Sequence, residues 1–170
     1  MPAEPHEDRA RLYLSFADED RVRAMELVRW LNDSGWRVAA DDRHAFAAGD
    51  RKSWAPSRQL DACDVMLCVI TPGWLVSDFC HREYAYCAKG GKFVLPVISE
   101  PFDLALLPPA IRALPRVDLT QSRMIDYLAL KDVLIQAGSK MAGESPESNG
   151  GRKRTFFQVL RDWLRAHSSL

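Results

Sequence analysis

The chain of 170 residues lacks net charge, since 23 Lys and Arg are matched by 23 Asp and Glu. A general nucleic-acid binder carries a clear basic excess, so the balance argues against that class. It also offers no solubility by self-repulsion. Long apolar runs are missing as well. The longest, such as Val65 to Ile70, falls far short of the ~18 residues of a membrane helix and suits a buried strand. Met1 to Arg11 is polar and acidic with no apolar stretch, which is not the pattern of a secretory signal. Cysteine is scarce: Cys63, Cys68, Cys80 and Cys87 show no C-x-x-C spacing and sit inside apolar patterns. They read as buried thiols of a cytoplasmic chain rather than disulfides or zinc ligands, and no metal site is expected.

Several chemistries of alternating α/β chains lack their motifs. No G-x-G-x-x-G follows the first strand, so a Rossmann site has no phosphate cradle. No G-x-x-x-x-G-K-[ST] and no G-x-S-x-G nucleophile elbow occurs. The third strand runs into Ile70-Thr71-Pro72 without the acid that a flavodoxin-like phosphoacceptor requires.

What is present is enough apolar content, 47%, to pack a core, in a length that suits one domain. Residues 1–9 read as a disordered lead. Residues 12–16 read as a first strand, and the acidic turn Ala17 to Asp20 suits a helix start. Ala24, Leu27, Val28 and Leu31 recur at helical spacing, and Gly35 suits a left-handed cap. A second strand spans 36–40. Residues 41–53 form a polar stretch longer than ordinary loops, and such loops are often functional. A short helix at 56–62 precedes the third strand, 65–70, whose residues are apolar on both faces, as in a parallel sheet covered on both sides. Thr71-Pro72-Gly73 breaks that strand. Ser77 can cap a helix over 78–89, closed by Gly90-Gly91. The fourth strand, 93–98, contains Pro96, which predicts an irregular or shortened ladder. A short helix at 108–114, a short strand at 117–119 and a helix marked by Tyr127, Leu130, Leu134 and Ala137 complete a domain at 10–137. Residues 138–151 read as a mobile loop. Residues 152–170 carry five basic residues and one acid, with Phe156, Leu160, Trp163 and Leu164 on one helical stripe. That stripe predicts a final helix packing on the domain, the alternative being a docking helix for a partner or anionic lipid.

The alternation implies α/β architecture: a flavodoxin-like, five-stranded parallel sheet with helices on both faces. Ligands of such sheets bind beyond the strand carboxyl ends, here 16–19, 41–50 and 71–77.

The informative segment is Ser77-Asp78-Phe79-Cys80-His81-Arg82-Glu83-Tyr84. Phe79 and Glu83 are i and i+4 on one helix face, while Cys80, Tyr84 and Cys87 form a neighbouring stripe that reads as core. Spacing alone leaves Glu83 open between a site carboxylate and a surface acid paired with Arg82 or Lys89. His81 falls about 160° from Glu83 at ~100° per residue, which predicts an exposed side chain. His44 is a weaker ligand candidate, Trp54 and Trp74 either stack on a base or, the reading favoured, close the core beneath their loops, and Asp41 and Asp42 are either a hydroxyl-binding pair or turn caps.

Over residues 10–135 the chain resembles a Toll/interleukin-1 receptor (TIR) domain. Tyr13-Leu14-Ser15-Phe16 is similar to the family's first-strand box. Val38 to Asp42 with Gly49-Asp50 resembles its second strand and BB loop. Ala62 to Pro72 resembles the third strand, and Phe93 to Ile98 the fourth. Ser77-x-Phe79-Cys80-x-x-Glu83 resembles the S-x-W-C-x-x-E box, with Phe79 in place of Trp, which keeps a stacking face and loses the indole N–H. The resemblance implies either of two functions. One is NAD⁺ cleavage at the nicotinamide–ribose bond, as hydrolase or cyclase, in immune, cell-death or antiviral signalling. The other is a non-enzymatic TIR–TIR scaffold. For the first, it implies Glu83 as the catalytic residue. Phe16, Asp18, Asp42, Arg43, Ser77 and Phe79 would bind NAD⁺, which is a substrate, with no cofactor. It further implies homo-oligomers through TIR–TIR contacts and a regulatory protein or added domain as partner.

Overall fold

A computed structural model describes residues 10–40 and 55–143, the last five of them for backbone only. The expectations for the lead at 1–9, for Asp41, Asp42, Arg43, His44 and Trp54, and for the final helix at 152–170 lie outside the described residues. Five strands, β1 (Arg11–Ser15), β2 (Arg37–Ala40), β3 (Val65–Ile70), β4 (Phe93–Ile98) and β5 (Val117–Asp118), form one parallel sheet in the order β2-β1-β3-β4-β5. Among the described residues, six helices connect or flank them: α1 (Arg21–Asp33), α2 (Arg58–Ala62), α3 (Pro72–Val76), α4 (Asp78–Lys89), α5 (Pro109–Arg112) and α6 (Met124–Gly143).

Strand alternation sorts the core into two layers. Leu12 and Leu14 of β1, with Phe16 just beyond its end, join Val65, Leu67 and Val69 of β3 against Ala24, Leu27 and Leu31 of α1 and Leu130, Val133 and Leu134 of α6. Tyr13, Met66, Cys68 and Ile70 face the other way, onto Leu60 of α2, Trp74 of α3, Cys80 and Cys87 of α4 and Ile111 of α5. Every residue of β3 and β4 is buried, which explains their continuous apolar runs.

The helix ends follow local chemistry. Ser57, Thr71 and Ser77 each accept a hydrogen bond from the backbone N–H three residues on, capping α2, α3 and α4. After α1, Gly35 sits at φ 83°, its N–H reaching Asn32 O while Trp36 N–H reaches Leu31 O. Gly91 closes α4 the same way at φ 68°, with Lys92 N–H bonded to Cys87 O. Both are Schellman turns, and both need a residue that tolerates the left-handed region.

Four expectations change. Thr71-Pro72-Gly73 ends β3, yet it also opens α3, because Pro72 suits a first helical turn and Thr71 supplies the cap. The acids at 18–20 form a separate 3-10 turn before α1, and Asp20 accepts from Thr71 Oγ1 instead of capping α1. Helix α6 continues through Gly143, past the point where a loop was expected. Pro96 leaves the β3–β4 ladder unbroken over six residue pairs. Ile98 O accepts from Leu119 N–H on the β5 side, so Pro96, two residues earlier, also turns its backbone toward β5. There the pairing starts only at Val97, so the missing N–H falls where no ladder partner exists and only that side is short.

Candidate functional site

The strand order reverses between β1 and β3, and their carboxyl ends flank the switch point of the sheet. Polar side chains gather there. Ser15 ends β1 on the face turned to α4, and Tyr13 lies two residues earlier on the same face. From the other side, the Ser77 cap starts α4 so that Cys80, Glu83 and Cys87 form its buried stripe. An acid therefore occupies a core position.

Glu83 is 1% exposed. Its Oε1 accepts from Tyr13 Oη at 2.5 Å and its Oε2 from Ser15 Oγ at 2.5 Å. Trp74 Nε1 donates in turn to Ser15 Oγ at 3.3 Å. Cys68 is on the same layer, and burial first, then the Glu83 carboxylate, push its thiol well above the usual range. The reading of Glu83 as an exposed surface acid is thus overturned. A carboxylate removed from water must be satisfied by donors, and two hydroxyls supply them.

The surrounding turns are tied to this group. Thr71 Oγ1 bonds Asp20 and accepts from Trp74 N–H, which locks the 3-10 turn to the start of α3. A Cβ on Gly73 would fall 2.2 Å from Glu19 Oε1, so the glycine permits that close approach. His81 stacks at a tilt on Trp74, ring centroids 5.2 Å apart, with its Nε2 buried and unpartnered among the described residues. It is half-buried, not exposed as expected.

The other expected site residues disperse. Ser77 is half-buried at the amino end of α4, its oxygen engaged as the cap. Phe79 is half-buried one turn before Glu83. Asp18 is exposed at the start of the 3-10 turn beyond β1. Phe16 is 1% exposed and packs with α1 and α6, on the opposite side of the sheet from Glu83, so its ring is core and not pocket wall. Asp42 and Arg43 lie outside the described residues. A cavity of about 510 Å³ opens at the amino ends of β1 and β2, lined in part by Arg11, Leu12, Trp36, Arg37, Gln59 and Cys63. That is the edge of the sheet away from Ser15. Sequence reasoning missed Tyr13 and Ser15 as partners of Glu83, and Trp74 as the donor to Ser15. The available signal was two hydroxyls at alternate positions of an otherwise apolar strand.

The family model for the TIR domain matches residues 12–133. The chain belongs to the TIR family. The crystal structure of the TIR domain of the Toll-related receptor TRR-2 from Hydra magnipapillata matches this TIR domain with a TM-score of 0.56 at 13% identity, covering 74% of this chain and 98% of that one. At that identity the likeness carries the fold alone. No curated protein matches. Among the described residues of the TIR domain, no helix is long and apolar enough to cross a membrane.

Proposed function

We propose that this TIR domain cleaves NAD⁺ at the nicotinamide–ribose bond, with Glu83 as the carboxylate that stabilises the reaction, in immune or cell-death signalling. The observation that supports this reading is a buried acid held by two hydroxyls beside the switch point of the sheet. Nicotinamide in NAD⁺ is already a cationic pyridinium and leaves as a neutral base without protonation. One carboxylate therefore suffices where ordinary glycosidases need two. Charge that develops on the ribose in the transition state is favoured by a nearby anion in a medium of low dielectric. Water attacking the ribose carbon gives ADP-ribose, nicotinamide and a proton, whereas attack by a group of the same molecule gives a cyclic product.

The burial of Glu83 adds a requirement. Its oxygens are engaged with its own chain, so substrate reaches it only when the side chain turns from Tyr13 and Ser15 or the α3 turn shifts. Self-association is the expected trigger. The same burial favours a second reading, in which the carboxylate fastens β1 to α4 and the domain acts through TIR–TIR contacts alone.

The test incubates concentrated protein with NAD⁺ and identifies products by mass. Wild type is expected to release nicotinamide, with ADP-ribose or a cyclic product separating hydrolase from cyclase. Glu83→Gln, confirmed as folded by thermal melting, is expected to lose at least ~10²-fold in turnover. Folded wild type that self-associates without turnover selects the scaffold, and a folded Glu83→Gln as active as wild type removes Glu83 from the chemistry.

A further inference from the structure

Helix α6 is apolar on two sides. Leu130, Val133, Leu134 and Ala137 are buried in the core layer shared with α1. At ~100° per residue, Met124, Leu128 and Ile135 fall within ~40° of one another on a second stripe, roughly opposite the first, with Ile125 on its flank. Met124 and Ile125 are 68% and 62% exposed, and Leu128 and Ile135 are 45% and 43% exposed. A surface helix ordinarily turns polar residues outward, and a helix that is apolar all round is one that is covered all round. No element among the described residues covers this outer stripe.

We propose that the outer face of α6 is the docking site for residues 152–170 of the same chain, which fold back on it as a helix. The apolar stripe of that segment, Phe156, Leu160, Trp163 and Leu164, then meets the outer stripe of α6. Arg154, Arg161, Asp162 and Arg165 fall on the other side of the segment, where water solvates them. Between α6 and the segment, residues 144–151 carry Glu144, Pro146, Glu147 and the Gly150-Gly151 pair and no large apolar side chain, which is the composition of a connection. Connections of about 2–8 residues commonly join helices that pack side by side. Fully extended, this one reaches ~26–29 Å, close to the ~30 Å length of α6, so it does not restrict where along α6 the segment lies.

Competing occupants are weaker. The lead at 1–9 enters the fold at Ala10, which lies close to Gly138 of α6, but it is polar and acidic and has no apolar stripe to offer. A second copy carries the same surfaces, yet it must supply them from free solution. A short tether holds the segment at an effective concentration on the order of millimolar, so at micromolar protein the intrachain contact is favoured by roughly 10²–10³-fold. Docked, the segment withholds this face of α6 from a second copy. The inference does not rest on NAD⁺ cleavage.

The experiment introduces the photoreactive substitution Leu128→p-benzoylphenylalanine into the full chain, mixes isotopically light and heavy protein at micromolar concentration, irradiates, and identifies the cross-linked peptides by mass. Cross-links from position 128 to residues 152–170 within one chain are expected to exceed those between light and heavy chains by at least ~10-fold. Ile125→p-benzoylphenylalanine, at a more exposed position, supplies the measurement should the first variant fail to fold. Adding Leu160→Asp puts a charge in the apolar seam and is expected to weaken the intrachain cross-link by at least ~10-fold. An excess of light–heavy cross-links assigns the face to a second copy and overturns the proposal. Cross-links that miss residues 152–170, or that survive Leu160→Asp, overturn it equally.

Discussion

Glu83 shows how strongly one residue's role depends on its surroundings. On an exposed helix face its charge would be solvated and nearly neutral to stability. Between β1 and α4 it is out of water and relies on Tyr13 and Ser15. Hydrogen bonds to charged groups contribute about 1.5–3 kcal/mol, and a buried acceptor that loses its donor carries its full desolvation cost. Tyr13→Phe is therefore expected to destabilise the domain by about 1.5–3 kcal/mol in urea unfolding. Glu83→Leu removes the charge that needs the hydroxyls, so adding Tyr13→Phe to it is expected to cost much less than Tyr13→Phe alone. Additive costs in that double-mutant cycle would show that the two side chains do not act on one another. Nothing in the helix spacing announced this pairing. The i, i+4 relation of Phe79 and Glu83 was visible, but the inward stripe became Cys80, Glu83 and Cys87 because the sheet supplied donors for the acid.

At the scale of elements, legibility followed the strength of local signals. β3 and β4 were plain because both faces are buried and every residue is apolar or proline. α4 was bounded by Ser77 and the Gly90-Gly91 pair, each acting through backbone geometry that the residue type nearly dictates. α3 was missed because a Pro-Gly sequence reads as a turn, and the five-residue helix is held by its Thr71 cap and by the burial of Trp74 against the sheet layer. Phe16 continues the parity of Leu12 and Leu14, so strand alternation carries its ring to the α1 and α6 face, away from Glu83. The Schellman turn after α4 gives an element-scale expectation. An added Cβ at Gly91 meets nothing within 4 Å, so the cost of Gly91→Ala is one of backbone conformation alone. Thermal or urea unfolding should show a loss of about 1–2 kcal/mol with no change in the α4 contacts. A neutral outcome would mean the φ of 68° is not retained in solution.

Over the whole molecule, the sheet order decides where chemistry can gather. β1 has neighbours on both sides, and the reversal between it and β3 places Ser15, Thr71, Trp74 and Glu83 around one point. The Tyr13, Ser15 and Trp74 contacts also close that point in the single chain. If NAD⁺ cleavage is the activity, a ligand-competent arrangement is a minor state of the monomer, and whatever binds that arrangement better raises its population. TIR domains interact through TIR–TIR contacts, which makes a second copy the natural effector, and zero net charge removes any long-range repulsion between copies. Turnover per protomer should then rise with protein concentration and level off as association saturates. The measurement pairs nicotinamide release with light scattering on the same dilution series, and the two midpoints are expected to coincide. Glu83→Gln should reproduce the scattering curve without the turnover, because its carboxamide still meets the Tyr13 and Ser15 hydroxyls. Turnover per protomer that stays flat while scattering passes from monomer to oligomer would place the opening of the site within the single chain.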